Sequence, residues 1–216
     1  MNTLKNKKIL ITAGPTWVPI DNVRVISNVA TGRTGILLAE KLRHLGAKVT
    51  LLLGPVQVCC LKEQIKLIRF KSFEELRDKL VTELKSRKYD IVIHSAAVSD
   101  YKPSKIYLQK VKSGIKNWRL NLVPTEKIID LIKKIDRSSF TVGFKFEPGT
   151  KNKELINEAK AILHRSNLDL VVANTVANKK YRAFLIDCQK IYGPLVSKEA
   201  LAQKLIRVIG ENLWKS

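Results

Sequence analysis

Three short runs constrain the fold more than anything else in the 216 residues: Lys8 to Thr12 (KILIT), Asp90 to His94 (DIVIH) and Leu168 to Ala173 (LDLVVA). Each is apolar almost throughout instead of at every second residue. A strand with one wet face alternates, whereas a strand covered on both faces does not. Between these runs lie stretches with helical spacing. Residues 33–45 place Ile36, Leu37, Ala39, Leu42 and Leu45 on one stripe, and Gly46 ends it. Ala47 to Leu53 and Ile65 to Phe70 supply further strands. Ser72 opens a helix to about Ser86, with Glu75 at the capping-box position. Tyr89 to His94 is a strand, Thr125 is expected to cap a helix to about Ile135, and Phe140 to Phe144 is another strand. Asn152 to Arg165 is a helix. After Asn174 the pattern changes to a hairpin of Arg182 to Asp187 with Gln189 to Tyr192, and a closing helix runs from Ser197 to about Leu213. Strands alternating with helices predict an α/β fold: a doubly wound, Rossmann-like, mostly parallel sheet with helices on both faces and a C-terminal β-hairpin. No repeat or linker interrupts it, so residues 1–216 read as a single domain.

Residues 100–117 break the alternation. The segment is long, basic, and punctuated by Pro103 and Gly114, and it follows a strand end, where open α/β sheets place ligands. It reads as a flexible basic flap.

Charge narrows the partners. The chain carries 40 Lys and Arg against 19 Asp and Glu, a net charge of +21. A nucleic-acid-binding protein is one reading of that field. The basic residues are spread along the chain, however, without a zinc finger, an RNA-binding aromatic motif or an unbroken basic tract. A small substrate bearing several phosphates would exploit the same field. No apolar run has the roughly 20 residues of a membrane span, and the N-terminus reads as a first strand and not as a signal peptide, so a cytoplasmic location is expected. Cys59, Cys60 and Cys188 form neither a disulfide framework nor a zinc pattern. Cys59 and Cys60 are read as packed structural thiols.

The residues with chemistry cluster at strand ends. Gly14 follows the first strand, but the next glycines are Gly32 and Gly35, too distant for a dinucleotide fingerprint. Thr31 and Gly32 open the first helix, where backbone N–H groups favour a phosphate. Asn28, just before it, offers a donor and an acceptor for an acyl oxygen. Ala96 and Ala97 allow a ring or ribose to lie against the backbone, and Asp100 can meet ribose, metal or base. Lys110 and Lys112 can clamp a triphosphate or a carboxylate. Tyr101 and Lys105 have the spacing of a short-chain-dehydrogenase dyad, which keeps an NAD(P) reductase as a lesser alternative, but Pro103 between them disfavours the helical turn that dyad needs.

Seven pieces, in order, resemble the phosphopantothenate–cysteine ligase (phosphopantothenoylcysteine synthetase) family: ITAGPT at 11–16, PIDNVRVISNVATGRTG at 19–35, HSAAVSDY at 94–101, QKVKSG at 109–114, VPTEKI at 123–128, TVGFKFE at 141–147 and NLDLVVANT at 167–175. The resemblance implies an enzyme of coenzyme A biosynthesis that joins 4'-phosphopantothenate to L-cysteine. The acid attacks CTP, or ATP, releasing pyrophosphate. The cysteine amine then attacks the acyl nucleotide. Asn28 matches the residue that holds the intermediate, and Lys110 the flap lysine; both are implied to be catalytic. Gly14, Ala96, Ala97, Asp100, Lys110, Pro124, Thr125, Glu126, Lys127 and Phe144 match nucleotide-binding positions. Arg24, Asn28, Thr31 and Gly32 match substrate-binding positions. The family implies a homodimer and Mg2+ on the triphosphate, with no flavin in this part. The match begins at the ligase's first strand, so a stand-alone form without the family's flavin-dependent decarboxylase domain is expected.

Two departures stand out. Val29 and Ala30 replace a histidine and a serine after the asparagine. Ile162 and Ser166 occupy places where many members carry triphosphate lysines.

Overall fold

The computed structural model describes residues 4–57 and 64–213. Cys59 and Cys60 lie outside them. The chain starts with β1 (Lys8–Ala13), a small hairpin of β2 (Trp17–Pro19) and β3 (Val25–Ser27), then α1 (Arg33–His44), β4 (Lys48–Leu53), β5 (Lys66–Arg69), α2 (Phe73–Ser86) and β6 (Ile91–His94). A second excursion pairs β7 (Tyr101–Pro103) with β8 (Leu122–Pro124). It is followed by α3 (Ile128–Ile135), β9 (Phe140–Phe146), α4 (Asn152–Arg165), β10 (Leu170–Ala177), β11 (Lys180–Ile186), β12 (Ile191–Leu195) and α5 (Lys198–Leu213).

The main sheet has eight strands in the order β12-β11-β10-β9-β6-β1-β4-β5. From β5 to β10 neighbouring strands are parallel. β11 and β12 add antiparallel pairs at one edge. The unbroken apolar runs therefore have the cause expected of them. Ile9, Ile11 and Ala13 of β1 pack with Leu38, Ala39 and Leu42 of α1 and with α5, while Leu10 packs with Leu76 and Leu80 of α2 and Ile132 of α3. α4 covers the same face as α2 and α3, beside β10 and β11. From β1 the chain winds outward through β4 and β5, then returns to β6 on the other side of β1. The strand order reverses between β1 and β6, the place at the carboxyl edge where open α/β sheets have their ligand crevice.

Local chemistry explains the helix starts. Ser72 Oγ accepts from the Glu75 amide at 3.1 Å, and the Glu75 carboxylate accepts from the Lys71 amide at 3.1 Å. Ser197 Oγ accepts from the Ala200 amide at 3.0 Å. Three expectations need correction. Thr125 does not cap α3: Lys127 is the N-cap, and the Thr125 hydroxyl instead donates to the Ser99 carbonyl at 2.7 Å. The hairpin is larger than expected, because β10 runs on to Ala177 and pairs with β11 before β11 turns to β12. The basic flap begins and ends in a strand pair, β7 with β8. Tyr101 sits on β7 and not on a helix, which excludes the reductase dyad geometry.

Among the described residues no helix is long and apolar enough to cross a membrane.

Candidate active site

The loop after β1 and the loop after β6 form the two walls of the crevice, and they are zipped together. The Ala97 amide donates to the Gly14 carbonyl at 2.9 Å, and the Thr16 amide donates to the Ala97 carbonyl at 3.3 Å. Thr16 Oγ1 accepts from the Ser99 amide at 3.0 Å. Asn28 adds a second clasp: its Nδ2 donates to the Ala97 and Val98 carbonyls, each at 3.2 Å. Both amide hydrogens of Asn28 are thereby engaged. Its Oδ1 takes no bond from the described residues. The acceptor end is the one left for a ligand.

Gly14 and Gly32 have φ of 82° and 67°, in the left-handed region that favours glycine. They also touch: a Cβ on Gly32 would lie 3.3 Å from the Gly14 nitrogen. Gly35 lets the start of α1 press on the end of β1, since a Cβ there would lie 2.4 Å from the Ala13 Cβ. The helix begins at Gly32 with no side-chain cap and no acidic residue in its first turn. Its amides therefore keep their affinity for an anion. Thr31 stands beside this turn, with Oγ1 3.4 Å from the Arg33 amide.

The nucleotide candidates fall into two groups. Asp100 meets Thr125 and Lys127 beside the β7–β8 pair, in which Tyr101 faces Pro124, while Ala96 and Ala97 bond back to Thr12, Gly14, Thr16 and Asn28. The Thr125 amide donates to the Asp100 carbonyl at 2.9 Å, and Lys127 Nζ lies 2.6 Å from Asp100 Oδ1. Glu126 is exposed beside them. Phe144 stands apart from Ala96: it packs with the cluster on the α1 and α5 face, whereas Ala96 packs with that on the α2 and α3 face. Ile162 packs against the apolar cluster under α4 and Ser166 is buried at that helix's end, before β10 begins. Both sit toward the amino edge of the parallel sheet, away from the crevice.

Lys110 and Lys112 are exposed on the flap. The flap docks on the β2–β3 hairpin. The Tyr107 amide donates to the Ile20 carbonyl at 2.9 Å. The Arg24 guanidinium lies 5.0 Å from the centre of the Trp118 ring, and that ring meets Tyr107 edge-on at 6.2 Å. Arg24 also donates to the Val111 carbonyl and pairs with Asp21.

Asp21 and the pair Thr12 and His94 are site-forming residues that sequence reasoning missed, whereas Thr16 belongs to the ITAGPT motif. Asp21 has a legible signal, because an Asp followed by free amides two and three residues on is an Asx turn. Burial alone would raise its carboxyl pKa. Backbone donors from Val23, Val111 and Arg24, with the Arg24 charge, outweigh that and hold it below the usual carboxylate value. Beneath the crevice floor, Thr12 Oγ1 lies 2.8 Å from His94 Nδ1 and accepts from the Ala96 amide at 3.3 Å. Burial pushes the His94 imidazole down to about 4, so it is neutral at neutral pH.

Residues 4–213 match the family described as the DNA/pantothenate metabolism flavoprotein C-terminal domain. The coenzyme A biosynthesis bifunctional protein CoaBC of Thermococcus kodakarensis is 38% identical over 216 residues, covering 98% of this chain and 51% of that protein. The chain thus spans about half the length of that curated relative. Among solved structures, the DNA/pantothenate metabolism flavoprotein from Streptococcus pneumoniae superposes with a TM-score of 0.86 at 26% identity, covering 95% of this chain and 99% of that one. The C-terminal domain of a CoaBC protein superposes at 0.82 with 25% identity over the full length of both chains.

Proposed function

Because the chain belongs to the family of the DNA/pantothenate metabolism flavoprotein C-terminal domain, we propose that it is the phosphopantothenate–cysteine ligase of coenzyme A biosynthesis. The observation that carries this reading is the clasp between the Asn28 loop and the loop after β6 at the switch point of the sheet, with the lysine-bearing flap docked on the hairpin that leads into Asn28.

In this reading the phosphate of 4'-phosphopantothenate sits at the uncapped start of α1, near Thr31 and Gly32. The nucleotide lies over Ala96, Ala97 and Asp100, against Pro124, Thr125, Glu126 and Lys127, with Phe144 at its far side and Gly14 beneath it. Lys110 closes over the triphosphate and offsets charge as the substrate carboxylate attacks the α-phosphorus and pyrophosphate leaves. Asn28 Oδ1 accepts from the cysteine amine and orients its lone pair on the acyl carbon. The amide bond forms, the nucleoside monophosphate leaves with the acyl C–O electrons, and the amine gives up a proton. Arg24 serves the substrate side through the flap it holds. CTP is favoured as the activating nucleotide, with ATP the alternative.

Among the described residues no group of three or more His, Cys, Asp or Glu side chains is placed to hold a metal. A magnesium ion would come with the triphosphate, whose charge it spreads. A homodimer belongs to the same proposal. Trp17, Val25, Tyr101, Leu122 and Val123 leave an apolar surface on the two small strand pairs that a second copy would cover.

The test is pyrophosphate release. It should require both phosphopantothenate and a nucleotide, with CTP and ATP compared, and phosphopantothenoylcysteine should form only when cysteine is added. If no nucleotide supports release with phosphopantothenate, the proposal falls.

A further inference from the structure

The two oxygens of the Asp21 carboxylate face different tasks. Oδ1 accepts from the Val23 and Arg24 amides at 2.9 and 2.8 Å and closes the turn between β2 and β3. Oδ2 accepts from the Val111 amide at 3.1 Å and pairs with Arg24 Nη1 at 3.2 Å. Arg24 Nη2 then donates to the Val111 carbonyl at 3.1 Å. Both backbone groups of one flap residue are therefore held by one ion pair, buried at Asp21 and half-exposed at Arg24, and that residue lies between Lys110 and Lys112.

The turn does not require this. An Asn closes an Asx turn as well as an Asp does, and a charge removed from water is costly unless paired and hydrogen-bonded. The Asp21 side chain is fully buried, with 0% exposure. Its second oxygen is shared between the flap's Val111 amide and Arg24, which itself reaches the Val111 carbonyl. The flap also needs an anchor: Lys102, Lys105, Lys110, Lys112 and Lys116 follow one another along it, and like charges favour an extended, self-avoiding chain.

We propose that Asp21 is a positioning residue for the ligase reaction. It touches no substrate. It fixes the flap at Val111, so that Lys110 and Lys112 stand over the crevice when the nucleotide is bound. The role of the lysines rests on the function proposed above, whereas the clamp itself does not.

Asp21→Asn separates the two tasks. The Asn carbonyl keeps the turn, and its NH2 can neither accept from Val111 nor pair with Arg24. Amide hydrogen exchange across residues 107–112 should be faster in the variant. Its kcat should fall about tenfold to a hundredfold, while KM for phosphopantothenate stays within about twofold. Because Asp21 acts through the lysine, adding Asp21→Asn to Lys110→Ala should slow turnover little further. Unchanged exchange, unchanged kcat, or losses that multiply in the double variant would each overturn the proposal. If the wild-type chain lacks ligase activity, the ligase reading fails and the exchange measurement still decides the clamp. If Asp21→Asn lacks a cooperative melt, Val111→Pro, which removes the flap's own N–H, carries the same measurements from the other side.

Discussion

Asn28 and Ala97 lie 69 positions apart and are joined by a 3.2 Å hydrogen bond from the side-chain amide of one to the carbonyl of the other. A second bond of the same length reaches Val98. The asparagine is thus a brace between the walls of the crevice as well as a candidate ligand to the acyl nucleotide. Asn28→Ala should still release pyrophosphate from phosphopantothenate and CTP but form amide about a hundredfold more slowly or worse. Quenched-flow detection of accumulating acyl nucleotide checks this. Unimpaired amide formation removes Asn28 from the site.

Lys110 has a different signature. In the proposed mechanism it serves the first half-reaction, so Lys110→Ala should lower pyrophosphate release itself by about a hundredfold. Thermal melting should be unchanged, since the side chain is exposed. Lys112→Ala serves as the comparison. A Lys110 variant with a near-normal burst of pyrophosphate would defeat the assignment.

The contact between α1 and β1 admits no added methyl. Gly35→Ala should destabilise the fold by about 1–3 kcal/mol, as overpacking does, because the new Cβ would meet the Ala13 Cβ at 2.4 Å. Ala13→Gly in the same chain should restore part of the loss, since Ser95 Oγ would still lie 2.8 Å from the new Cβ. Denaturant midpoints with unchanged slopes test both, and a neutral Gly35→Ala would show that the helix can back away.

His94 gives the fold a pH dependence of known sign. Its folded pKa lies near 4, below the ordinary 6.5. Between those values the unfolded chain binds a proton that the folded chain refuses, so stability falls as pH drops through that window and is fully present above it. Moving from pH 7 to pH 5 should cost about 2 kcal/mol from this group alone. His94→Asn should remove that part of the slope. The carboxyls of Asp21, Glu83 and Asp90, which are held below their ordinary values, lose their contributions only at lower pH. Equal slopes for the variant and the parent would show that His94 takes up a proton in the folded state.

Most of the doubly wound sheet was legible, because burial on both faces writes itself into KILIT, DIVIH and LDLVVA. The small strands were not. β2, β3, β7 and β8 have three residues each, too few for periodicity, and β7 finds its partner only after the flap. The β10–β11 turn was hidden for another reason. Asn178 and Lys179 both have positive φ, 49° and 62°, as a two-residue hairpin turn requires, but lysine is not the glycine that announces such a turn. Thr125 has the composition of a cap and a neighbour, Ser99, that claims its hydroxyl. At the candidate site, Asn28, Lys110 and the Gly32 helix start were legible as candidates from motifs. The division of labour within the Asp21 carboxylate could not, since Val111 is remote in sequence and contributes only its backbone.

The parallel register sets Thr12 beside His94 at the centre of the sheet. Those neighbours meet only once the strands from the two ends of a long intervening stretch have come together, so in the proposed reading the nucleotide site exists only in the assembled sheet. Occupancy by CTP should accordingly raise the melting temperature of the whole domain in one transition, in proportion to the logarithm of free ligand, with no separate early step for the flap or the hairpins.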